Sequence, residues 1–138
     1  MSRHDEIHRL LDQLRDAVPE LRGVLVASTD GLAIAHSMNE QIDVDRVAAM
    51  AATALGVGKR IAETLGAGEL METNVRGTSG QIFLYAAGSQ AILAVIAPEL
   101  TNVGLVHLEA RGTAGQIGPV IEGPARTVVP GGLTGGVA

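Results

Sequence analysis

The residues best able to do chemistry are the four histidines, His4, His8, His36 and His107, with the hydroxyls, carboxylates and cations near them. His4 and His8 stand four apart, so on a helix they share a face, and with Asp5 and Asp12 nearby two imidazoles could reach one metal ion. The sequence names no third or fourth ligand, and a solvated helix face explains the same residues, so no metal site is expected. Ser28, Asp30 and His36 supply the residue types of a hydrolytic triad. Asp30, however, is accounted for as a turn residue beside Gly31, and Ser28 lacks the strand-to-helix elbow that would expose a nucleophile. His107 falls in a helical stretch and reads as a partly buried or surface histidine. No catalytic residue is assigned.

Gly56-Val57-Gly58-Lys59-Arg60 has the look of a phosphate-binding loop. That mechanism needs a glycine five residues before Gly58 and a hydroxyl after the lysine, on a loop between strand and helix. Position 53 is threonine, position 60 is arginine and the stretch lies inside an expected helix; the dinucleotide fingerprint fails as well, because position 61 is isoleucine. The bland alternative is close helix packing at the glycines followed by a solvated basic turn. Arg46, Lys59 and Arg60 then remain as a candidate docking cluster, weighed against ordinary solvation and a Lys59 to Glu63 helix pair. No nucleotide or other cofactor is expected.

Composition narrows the partners. The 138 residues fit one domain, and only Phe83 and Tyr85 are aromatic, which leaves no stacking platform for single-stranded nucleic acid. With 10 Lys+Arg against 15 Asp+Glu the net charge is −5, and the basic residues are dispersed, so nucleic acid is not an expected partner. The absence of cysteine excludes disulfides and thiolate sites. The charged opening MSRHDEIHRLLDQLRD has no apolar signal core, and no run approaches the about 18 apolar residues of a membrane span. A cytoplasmic protein without membrane insertion is the expectation.

The elements that position these residues follow from periodicity. Ile7, Leu10, Leu11, Leu14 and Val18 give an amphipathic first helix ended by Pro19 and Gly23. Gly23 to Ser28 and Leu32 to His36 read as a hairpin around Asp30-Gly31. A long middle helix opens on Asp43 as N-cap and runs to about Leu65, stopped by Gly66 and Gly68. Three strands follow: Glu69 to Arg76, alternating as an edge strand does, then Gln81 to Ala87 and Ala91 to Ala97, apolar on both sides and therefore central. Thr101 or Asn102 caps a last helix through Val103, Val106, Ala110 and Ile117. From Gly118 onward, 9 of 21 residues are glycine or proline, which reads as a flexible tail. The expected class is α+β, αββαβββα, a five-stranded antiparallel sheet with the middle helix on one face and the terminal helices on the other, a Roadblock/profilin-like sandwich over 1–120 with a tail over 121–138.

Val47 to Leu55 holds seven alanine, valine or leucine residues, one methionine and one threonine. A helix so uniformly apolar is buried on more than one side, whereas the domain offers it one sheet face. Either its own chain wraps it or a second copy covers it; small residues at Ala48, Ala52 and Gly56 would allow close helix approach in a two-fold homodimer.

The order of elements, the phrase Val24-Leu25-Val26-Ala27-Ser28-Thr29-Asp30-Gly31-Leu32-Ala33-Ile34-Ala35 and the stretch Ala91 to Arg111 resemble the Roadblock/dynein-light-chain family, including bacterial regulators of the MglB type. The likeness covers about residues 3 to 121. It implies a homodimer in which the middle helices pair and the strand at Glu69 to Arg76 joins its twin, with Val47, Ala51, Ala54, Leu55, Met71, Thr73 and Val75 as interface candidates. It also implies a non-enzymatic role, binding a small Ras-like GTPase through the paired helices, in some bacterial cases stimulating GTP hydrolysis. Carried onto this chain, that docking surface is Ala48, Ala52 and Gly56, flanked by Lys59 and Arg60. The competing implication is a dimeric scaffold or sensor that leaves nucleotide turnover untouched.

Overall fold

The computed structural model describes residues 2–123. In chain order the elements are α1 (Arg3–Ala17), β1 (Gly23–Ser28), β2 (Ala33–Met38), α2 (Val44–Thr64), β3 (Glu72–Arg76), β4 (Gly80–Ala87), β5 (Ala91–Pro98) and α3 (Val103–Glu122). Each helix starts on a side chain that accepts an otherwise unpaired backbone N–H: Ser2 from Asp5, Asp43 from Arg46 and Asn102 from Leu105. Between β1 and β2, Gly31 has φ of +91°, the left-handed region that a side chain would resist, and this closes the hairpin.

The strands form one sheet in the order β2-β1-β5-β4-β3, every neighbouring pair antiparallel. The three inner strands are buried on both faces, as their unbroken apolar runs require, and β2 and β3 are the edges. On one face α1 and α3 cover a core that includes Ile7, Leu11, Leu14, Phe83, Tyr85 and Ile117. On the other, α2 packs through Ala48, Ala51 and Leu55 onto Leu25, Leu84 and Ile92. The alanines let the helix lie close to the sheet, and both aromatic rings are on the opposite side.

The expected architecture holds, with two differences at element ends. The strand expected from Glu69 begins at Glu72 instead, because Gly66 and Gly68, with φ of +69° and +89°, are part of an irregular connection out of α2. Where a tail is expected from Gly118, α3 continues to Glu122 with Pro119 inside it. Gly118 is buried where the helix passes close to the β4–β5 turn; a Cβ there would lie 3.0 Å from the Gly88 nitrogen, tighter than ordinary contact. Glu122 then accepts the Ser89 backbone N–H at 2.8 Å, pinning the helix end to that turn. The remainder of the expected tail, 124–138, lies outside the described residues.

Candidate functional site

A helix turns 100° per residue, so the orientation of α2 decides which of its apolar residues serve its own sheet. Ala48, Ala51, Leu55 and Ala62 face inward and are buried. Three expected interface or docking residues, Ala48, Ala51 and Leu55, are thus buried against the chain's own sheet. The sequence showed that α2 is apolar all round; it lacked the phase.

The two shoulders of α2 differ in chemistry. One leans toward β3: a Cβ on Gly58 would lie 2.8 Å from Leu70 Cδ2 and 3.6 Å from Thr73 Oγ1. From that shoulder outward run Val47 and Ala54, both half-buried, then Met50, Val57 and Ile61, all exposed. The other shoulder leans toward the β1–β2 hairpin, where a Cβ on Gly31 would meet Ala49 Cα at 3.4 Å and Ala52 Cβ at 3.7 Å. Gly56 lies one turn beyond Ala52 with nothing within 4 Å of where its Cβ would be, and exposed Arg60 follows one turn later. Lys59 diverges from Arg60 and lines an open groove of about 850 Å³ with Glu63, Glu69 and Ser89.

The sheet edge on this side is apolar as well. Along β3 the residues alternate as expected: Thr73 and Val75 point to the α2 face and Glu72, Asn74 and Arg76 to the other. Met71 and Val75 are 71% and 50% exposed, and on α2 Ile61 and Met50 are 55% and 57% exposed. Large apolar side chains left in water on a helix and on the free edge strand are the kind of surface that marks an interaction site.

Behind that edge lies a polar cluster that the sequence did not reveal. Arg111 on α3 donates two hydrogen bonds to Glu72, Nε to Oε1 at 2.9 Å and Nη2 to Oε2 at 2.7 Å. His107, one turn earlier, places Nδ1 3.5 Å from Glu72 Oε2 and 2.8 Å from the buried Tyr85 hydroxyl. The hydrogen bond from Arg111 holds the Glu72 carboxyl below the usual carboxylate range, and Glu72 in turn raises Arg111. Burial, reinforced by the Glu72 charge, pushes the Tyr85 phenol well above its ordinary value. Two signals pointed this way: a lone tyrosine in an apolar strand needs a polar partner, and His107 and Arg111 stand four apart on a helix.

The other candidates are local. The His4 and His8 ring centroids are 4.5 Å apart, and among the described residues no group of three His, Asp or Glu side chains is placed to hold a metal ion. Ser28 Oγ accepts the Leu32 backbone N–H at 3.1 Å inside the hairpin, and His36 is exposed on β2. Among the described residues, no helix is long and apolar enough to cross a membrane.

A five-stranded antiparallel sheet with one helix on one face and two on the other is the architecture shared with a known group of domains. The chain belongs to the Roadblock/LC7 domain family, whose model matches residues 7–97. An uncharacterized protein of Methanocaldococcus jannaschii is 33% identical over 97 residues, which cover 70% of this chain and 84% of that one. Among solved structures, the gliding protein MglB from Thermus thermophilus superposes with a TM-score of 0.81 at 18% identity, over 88% of this chain and 93% of that chain. An MglB described as having a tetrameric arrangement gives 0.82 at 19% identity, over 88% and 92%.

Proposed function

We propose that this protein is a non-enzymatic homodimer that regulates a small Ras-like GTPase. Two copies would meet along the β3-side shoulder of α2 and the β3 edge, bringing the α2 helices side by side. The observation that carries the reading is that Met50, Val57 and Ile61 on α2, and Met71 and Val75 at the free edge strand, are all left exposed. Burying exposed apolar area is worth roughly 25 cal/mol per Å², and an open edge offers backbone donors and acceptors to a second strand. The shared fold with MglB supports the same reading.

The GTPase would dock on the hairpin-side shoulder, at Ala52 and Gly56 with Arg60 beside them, the part of the expected docking surface that stays accessible in the single chain. A flat, small-residue surface with little to clash suits a broad protein contact. The test is to mix the purified protein with a small Ras-like GTPase from the same organism and to follow complex formation by size exclusion and GTP turnover by phosphate release. A complex, with or without faster turnover, supports the reading; neither a complex nor altered turnover removes the GTPase role.

A further inference from the structure

We infer the register in which two copies of β3 pair: the two-fold axis passes at Asn74, so that Glu72 of each copy stands opposite Arg76 of the other. The inference rests on the homodimer proposed above and adds which residues face one another. Two observations carry it, the direction of the backbone groups along β3 and the placement of its charges.

Backbone direction comes from the β3–β4 ladder. Ala86 donates its N–H to the Met71 carbonyl at 3.0 Å, Gly77 donates to Gly80 at 2.8 Å, and the register runs Glu72 opposite Tyr85 to Arg76 opposite Gln81. Odd-numbered residues of this strand therefore turn their N–H and C=O toward β4, and Glu72, Asn74 and Arg76 turn theirs to the free edge. A two-fold pairing is antiparallel, and its ladder closes only when outward-facing residues oppose outward-facing residues. Asn74 opposite itself, with Glu72 opposite Arg76 on both sides, uses every outward group of the strand.

Charge chooses among the registers that satisfy this rule. Sliding the axis to Glu72 sets two carboxylates face to face, and sliding it to Arg76 sets two guanidiniums face to face; like charges directly opposite are destabilising. Axes at Thr73 or Val75 leave Glu72 or Arg76 opposite Asn74 and lose both ion pairs. Only the axis at Asn74 pairs opposite charges twice. Arg76 is exposed and, among the described residues, makes no ion pair of its own, and Glu72 is already held upright by Arg111. In the dimer the partner's guanidinium would complete the Glu72 cluster. On the α2 face the same register sets Thr73 opposite Val75 of the other copy.

The chain has no cysteine, so single cysteines report the register directly. In an antiparallel sheet, residues opposite one another outside the hydrogen-bonded pairs approach to about 4.5 Å between Cα atoms, within disulfide range. Chains carrying Thr73→Cys and chains carrying Val75→Cys are co-expressed, oxidised and run on non-reducing gels, each also alone, with light scattering of the reduced proteins. The expected result is a cross-linked species from the mixture and none from either variant alone. Cross-linking of Thr73→Cys alone or Val75→Cys alone, or a dimer by scattering with no cross-link in the mixture, overturns the register while leaving the dimer standing. A monomer by scattering in the wild type overturns the dimer itself. Independently, Arg76→Glu in the wild-type background sets carboxylates opposite one another twice and is expected to weaken the dimer about tenfold; an unchanged dissociation constant contradicts the register.

Discussion

Arg111 holds Glu72 through two parallel hydrogen bonds, at 2.9 and 2.7 Å, reaching from a helix on one face of the sheet to the first residue of its edge strand. The edge that carries the proposed seam is therefore tied to α3 as well as to β4. Because Glu72 stays ionised at lower pH when folded than when unfolded, its contribution to stability is present above the unfolded-state value and is lost as pH falls through the folded-state value. Thermal melts of wild type and Glu72→Gln across pH should differ by a constant amount at neutral pH and converge only as pH falls below the ordinary carboxylate range. A difference that persists unchanged into acid would show that the carboxylate charge is not what Arg111 reads.

Tyr85→Phe removes the hydroxyl that faces His107 at 2.8 Å and should cost about 1 kcal/mol in urea unfolding. As the only tyrosine, Tyr85 also gives a clean absorbance titration: in the folded protein tyrosinate should not form near pH 10, and should appear there once urea unfolds the chain. Ionisation of the native protein at the ordinary value would mean that the ring is wetter than its burial implies.

Two glycines of α3 should respond oppositely to the same substitution. Gly112→Ala adds a Cβ to open space and should stabilise by about 0.5–1 kcal/mol through helix propensity. Gly118→Ala drives a Cβ to 3.0 Å from the backbone nitrogen of Gly88 and should destabilise by about 1–3 kcal/mol. Equal effects in denaturation curves would contradict the close approach of α3 to the β4–β5 turn.

Much of the architecture was legible because periodicity and turn chemistry point one way: Asp30-Gly31 closes the hairpin, Asp43 and Asn102 cap their helices, and Ala91 to Ala97 is buried on both faces. The phase of α2 was not, since alanine suits an inner face and an outer one equally; Ala48 and Ala51 turn inward while Ala49 turns out. Glycine misled at Gly118, where it serves contact and not flexibility. The Glu72–Arg111 pair joins residues 39 positions apart, a separation that no local pattern encodes.

Gly56→Ala separates the two shoulders of α2. With nothing within 4 Å of the new Cβ, the folded chain should gain about 0.5–1 kcal/mol, and dimer mass should be unchanged. Affinity for the GTPase, read by titration calorimetry, should fall if the hairpin-side shoulder is the docking surface.

The homodimer is tested most directly by the solution mass of wild type and Ile61→Glu, measured by light scattering at tens of micromolar. Ile61 is 55% exposed in the single chain, so the substitution should leave its fold within about 0.5 kcal/mol. The wild type should weigh twice 14.2 kDa and the variant 14.2 kDa, both with the same circular dichroism. A monomeric wild type, or an Ile61→Glu variant that stays dimeric, would contradict the assembly through α2 and β3.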